Sequence, residues 1–193
     1  MAIDTKQRVL EAAADLFQRQ GYNATGLNQV LAQSDAPKGS LYFHFPGGKE
    51  QLAVEAVALA GNRLGEDLRL ALADAPDART GILRIFDLLA RNLESSQFQE
   101  GCPVATVALE SAAESQPIRT ACDGVYTRWM DGLVGYLRSQ AVSSPQSERL
   151  GALILSSLQG ALLLARVKHD VTWVQTVGTE MADLVAKTID ESE

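Results

Sequence analysis

Apolar residues in this chain recur three and four positions apart almost from end to end, and no stretch alternates with the period of a strand. That pattern commits the chain to helices packed on helices, because an apolar helical stripe is buried only against another apolar face. Breakers divide it into segments. Val9, Ala13, Leu16 and Phe17 line a first helix over about 5–20, and Gly21 suits its end. A short second helix covers about 26–33, with Thr25 as the expected N-cap and Leu27, Val30 and Leu31 as its buried stripe. Ser34-Asp35-Ala36 forms a turn, and Pro37 opens a third helix that runs to about 44. Pro46-Gly47-Gly48 interrupts again. A long fourth helix follows over about 49–73, and then five more near 79–96, 103–113, 118–142, 148–169 and 172–188. The expected fold is all-α with about nine helices: a three-helix unit within 1–48 and a larger helical unit over 49–193.

Composition narrows the function classes. At 193 residues, 46% hydrophobic and 21% charged, the chain can bury a sizeable core. No basic segment followed by an apolar one opens it, so no signal peptide is expected, and the apolar stretch 152–165 is short for a membrane span. Two cysteines make no disulfide framework, and the chain reads as cytoplasmic. With two histidines and neither a CxxC nor an HExxH motif, no metal or cofactor is implied. Gly47-Gly48-Lys49 lacks the remainder of a phosphate loop. The net charge of −7 argues at first against nucleic acid, yet it is unevenly spread. Residues 1–50 hold five Lys/Arg (Lys6, Arg8, Arg19, Lys38, Lys49) and five Asp/Glu (Asp4, Glu11, Asp15, Asp35, Glu50), so residues 51–193 carry the whole −7.

Two short helices joined by a three-residue turn suggest a helix-turn-helix. Its second helix must fit a major groove, so the outer residues near its start should be small, polar or basic, as Lys38, Gly39 and Ser40 are. Flanking groups should grip phosphates: Thr25, Tyr42, His44 and Lys49 are the candidates. For Tyr42 and His44 the competing role is packing between helices. Phe43 either touches a thymine methyl or sugar or covers the small core. Gln29 and Asn28 reach a phosphate or base edge, or are simply solvated.

The segments Gly21-Tyr22-Asn23-Ala24-Thr25, Ala36-Pro37-Lys38-Gly39-Ser40-Leu41-Tyr42-Phe43-His44-Phe45 and Lys49-Glu50-Gln51-Leu52 resemble the DNA-binding domain of TetR-family transcriptional regulators. Gly101-Cys102-Pro103-Val104 and the apolar helices beyond it are similar to the LmrA/YxaF-like subgroup. The resemblance implies a ligand-responsive regulator, a repressor, that binds a palindromic double-stranded operator as a homodimer. A small effector held in the C-terminal domain would shift the fourth helix and release the DNA. It also implies that helices eight and nine pair with those of a second chain.

On that footing, the aromatic and aliphatic stripes divide between core and pocket. Phe86, Leu89, Cys102, Tyr126, Trp129, Met130 and Leu133 are the candidate pocket residues, and their few charges favour an apolar or aromatic effector. Leu150, Ile154, Ser157, Leu158 and Ala161, with Trp173, Val177, Met181 and Leu184, are the candidate dimer interface; core packing explains the same pattern. Cys102 is either a thiol made reactive by a helix N-terminus, which would make the chain an electrophile or redox sensor, or a small residue packed in a turn. An enzyme in a helical bundle would need convergent titratable groups, and the acidic residues fall mostly on solvated faces.

Overall fold

The computed structural model describes residues 4–191. Those residues form nine α-helices and no strand: α1 (Thr5–Ala24), α2 (Leu27–Ser34), α3 (Lys38–His44), α4 (Gly48–Ala73), α5 (Ala78–Ser95), α6 (Pro103–Ser111), α7 (Gln116–Ser139), α8 (Ser144–Lys168) and α9 (Thr172–Asp190). The chain folds into two compact units. One holds the residues up to Arg63 together with Cys102–Tyr126; the other holds Leu64–Gly101 and the residues from Thr127 onward. The unit that contains the helix-turn-helix is thus larger than residues 1–48, since it takes in the start of α4, all of α6 and the first part of α7.

In the first unit α1 packs on α2, α3 and α6, and Val9, Ala13, Leu16 and Phe17 of α1, Val30 and Leu31 of α2, Leu41 of α3, Phe45, and Leu52 and Ala56 of α4 are all buried. Gly21 (φ 87°, ψ 172°) breaks the regular helix of α1 before its last turn. A side chain is strained at that φ, which is why glycine stands there. Thr25 does not cap α2. Gly26 holds that position, because the Thr25 hydroxyl turns back and donates to the Gly21 carbonyl at 2.7 Å. Asp35 ends α2 in the left-handed conformation, its amide directed at Ala32 and Leu31 carbonyls, and Pro37 then sets the extended residue from which α3 starts. Gly48 (φ 66°) makes the turn into α4. Ion pairs Lys6–Glu55 (2.9 Å) and Arg63–Glu11 (2.6 Å) tie α4 to α1.

In the second unit α5 packs along α9, and α8 packs on α9. Gly178 of α9 lies against Phe86, so closely that a Cβ there would fall 2.6 Å from the Phe86 Cβ. Asp77 caps α5, its carboxylate accepting from the Thr80 amide at 2.7 Å. α8 starts earlier than its periodicity suggests, because Pro145 is accommodated in the first turn. At 25 residues the whole helix, longer than the apolar stretch 152–165 within it, is by length and composition long and apolar enough to cross a membrane. Its inner face (Leu150, Ile154, Leu158, Ala161, Leu162, Ala165) is nevertheless buried in the protein, as in a core helix.

Candidate nucleic-acid interface

α3 is seven residues long and commits one of them, Leu41, to the core, with Phe45 buried just beyond its end. Helical geometry then turns Lys38, Gly39, Tyr42 and Phe43 outward. Tyr42 is 64% exposed and Phe43 80%, far more than a core role for either would leave. No atom lies within 4 Å of a Cβ built on Gly39, so the backbone there is open to close approach. The Ser40 hydroxyl donates to its own turn, at 2.6 Å from the Pro37 carbonyl. His44 is half-buried, its ring in edge-type contact with both Phe43 (centroids 5.0 Å apart) and Phe45 (6.5 Å).

The flanking candidates divide differently. Thr25 is 1% exposed and its hydroxyl is spent on Gly21, so it is an internal pin of the corner before α2. Gln29 is exposed on α2 and exchanges amide hydrogen bonds with Gln20 at 2.7 and 3.2 Å; Asn28 is exposed beside it. Lys49 does not reach free into solvent. Its ammonium lies 4.5 Å above the Tyr22 ring and 3.4 Å from the Asn23 carbonyl, and partial burial lowers its pKa, with Glu110 acting in the opposite direction. Burial likewise raises the Tyr22 phenol, helped by the charge on Glu50.

Away from α3, Cys102 of the first unit is buried as the N-cap residue of α6, and its side chain makes no capping hydrogen bond. Its Sγ sits 4.0 Å from the Tyr126 Oη. Burial pushes the Cys122 thiol up to about 11 and raises the Tyr126 phenol. In the second unit Phe86, Leu89, Trp129 and Leu133 are buried and Met130 is half-buried against Gly151 of α8. Of the candidate interface residues, Leu150, Ile154, Leu158 and Ala161 point inward and are buried within the protomer. Ser157, Val177, Met181 and Leu184 are half-buried, and Trp173 is exposed. A second apolar face of α8, formed by Leu153, Leu163, Leu164 and Val167 with Ser156 and Gly160 between them, is exposed instead. Its signal in the sequence is an apolar arc too wide for one stripe.

An all-helical chain in which α2 and α3 are joined by a three-residue turn, with the outer side chains of α3 offered to a groove, has the form of a helix-turn-helix transcriptional regulator. Residues 9–56 match the model of the bacterial regulatory proteins of the tetR family, and residues 78–180 match that of the transcriptional regulator LmrA/YxaF-like C-terminal domain. The chain is 36% identical to the HTH-type transcriptional regulator LmrA of Bacillus subtilis (strain 168), over 95% of its own length and 98% of that protein. It superposes with a TM-score of 0.82 on a TetR transcriptional regulator from Chloroflexus aurantiacus J-10-FL, at 27% identity and 94% of each chain. A TM-score of 0.81 relates it to a cysteine mutant of the regulator CifR solved with a 26-base-pair operator, at 24% identity over 95% of this chain and 97% of that one. The chain belongs to the TetR family of DNA-binding transcriptional regulators, in the group with an LmrA/YxaF-like C-terminal domain.

Proposed function

We propose that this regulator is a cytoplasmic repressor that binds a palindromic operator as a homodimer, and that a small apolar or aromatic effector releases it. The observation that carries the DNA contact is the split on α3: Leu41 and Phe45 are buried while Tyr42 and Phe43 stand exposed beside Lys38 and Gly39. In this reading the α3 backbone at Gly39 approaches the bases, Lys38 reads a base edge or a phosphate, and Phe43 meets a thymine methyl or sugar. Tyr42, Ser40 and His44 hold the phosphates on either side, and Gln29 reaches the backbone from α2.

The homodimer rests on α8 and α9. The exposed face of Leu153, Leu163, Leu164 and Val167 has small residues, Ser156 and Gly160, that allow another helix to come close, and Trp173 of α9 is exposed as well. A palindromic operator offers two copies half-sites about 34–36 Å apart. The effector reading rests on Phe86, Leu89, Trp129, Met130 and Leu133, an apolar group with few charges.

Selection of duplexes from a random-sequence pool by the full-length protein tests the reading. A recovered palindrome, bound by two protomers, supports it; recovery of asymmetric sites bound by one protomer overturns the dimer. A reporter placed behind the selected site should be silenced by the protein and reopened by aromatic compounds, and activation of that reporter overturns the repressor role.

A further inference from the structure

We propose that Glu110 of α6 is a positioning residue for operator recognition, acting on the corner that sets α2 and α3 in place; this rests on the DNA-binding role of α3. The geometry is unusual for a surface carboxylate. Glu110 lies 87 positions from Asn23 in sequence, yet its Oε2 accepts the Asn23 amide hydrogen at 2.7 Å. That amide belongs to the last turn of α1, beyond the break in helical backbone at Gly21 and before α2 begins. The same carboxylate lies against Gly21, and any Cβ at Gly21 would collide with it. The left-handed φ is what asks for glycine there, and the Glu110 carboxylate uses the space that the missing side chain leaves.

The remaining groups of the corner are tied to one another. The Thr25 hydroxyl and amide return to the Gly21 and Tyr22 carbonyls, and Gln20 donates to both the Thr25 hydroxyl and the Ala24 carbonyl. Lys49, at the start of α4, closes it from the other side through the Asn23 carbonyl and the Tyr22 ring. The Asn23 main chain is thus held at its N–H by an anion from α6 and at its carbonyl by a cation from α4. A second link runs parallel, where the Ser115 hydroxyl beyond α6 donates to Glu50 of α4 at 2.7 Å. Loss of the Glu110 carboxylate leaves the Asn23 amide to water and releases the corner that aims α2 and α3.

The test compares the wild-type chain with Glu110→Ala and Glu110→Gln, all full-length. Hydrogen exchange over residues 20–26 reads the corner directly. Affinity for the operator selected by the wild type, and for a random-sequence duplex, reads the consequence. In Glu110→Ala the corner should exchange about fivefold faster and operator affinity should fall about fivefold, the scale of one solvent-facing charged hydrogen bond. Random-duplex affinity should not fall, because the lost carboxylate repelled phosphate. Glu110→Gln keeps an acceptor and should restore most of both losses. Unchanged exchange over 20–26 overturns the proposal, and so do operator and random-duplex affinities that move together. If the wild type selects no sequence, it is the role of α3 that fails, and the exchange measurement alone decides the role of Glu110.

Discussion

α3 and α8 both turn large apolar side chains to solvent, and they do so for different partners. On α3, Tyr42 and Phe43 stand beside a cation, Lys38, and a bare glycine backbone, on a helix of seven residues. On α8, Leu163 is 55% and Val167 72% exposed, on a helix of 25 residues whose intervening positions are small. Exposure is similar, so exposure does not choose the partner. The surroundings do: polar tips and a cation suit a charged groove, while a long apolar face broken by Ser156 and Gly160 suits a second helix. The sharpest way to break the comparison is a charge at Leu163. Leu163→Glu leaves the core untouched, so the chain should stay helical, sediment as a single protomer and lose about a hundredfold or more in operator affinity, as the joint binding of two half-sites is lost. A stable dimer would place the interface elsewhere. The same charge at Leu158 would be a poor test, since Leu158 is buried within the protomer and its loss would unfold the core.

The corresponding change on α3 should act on DNA alone. Tyr42→Ala is expected to lower operator affinity about tenfold, the scale of one lost interfacial aromatic with its hydroxyl contact, without moving the thermal midpoint. A mobility shift paired with a melting curve checks it. An unchanged affinity would remove Tyr42 from the interface.

The two faces were not equally legible in the sequence. Most of the outward side of α3 follows from spacing: Leu41 and Phe45 share one side of a short helix, which leaves Lys38, Ser40, Tyr42 and His44 to the other, although His44 turns out half-buried and the exposure of Phe43, open between core and groove in the sequence, is seen only in the structure. The α8 face stayed open between core and interface, because an apolar arc that runs most of the way round a helix does not say which part meets the protomer's own core. Leu150, Ile154, Leu158 and Ala161 fit an interface by type and are claimed by the core. Thr25 failed for another reason. A threonine before a helix has the chemistry of a cap, but a carbonyl freed by the break at Gly21 competes for its hydroxyl, and position alone does not reveal that competitor. Glu110 could not have been found at all, since no local pattern joins an α6 carboxylate to the amide of Asn23.

That reassignment of Thr25 sharpens the comparison at the level of stability. Thr25→Val keeps the shape and removes a buried hydroxyl that donates to Gly21 and accepts from Gln20. It should cost about 1 kcal/mol of folding stability, read from denaturant midpoints. The number of ions released on operator binding should stay the same, because the hydroxyl faces no phosphate. A lower salt slope with unchanged stability would return Thr25 to the interface.

The smallest effect separates two cations of one reading head. Lys38 is exposed on α3, whereas the Lys49 ammonium rests on the Tyr22 ring and the Asn23 carbonyl. Each lysine that neutralises a phosphate contributes about 0.9 to the slope of log affinity against log salt. Lys38→Ala should therefore lower the slope by about that amount, and it should shift base preference if the side chain also reads a base edge. Lys49→Ala should lower the slope by less than half as much, because a phosphate must first compete with the ring and carbonyl that already hold the ammonium. Titrations of both variants against the same operator at four salt concentrations resolve the difference. Equal losses would mean that the Lys49 ammonium leaves the corner when DNA arrives. The corner held by Glu110 and Lys49 in the free protein would then be a different corner in the complex, held at the Asn23 amide alone.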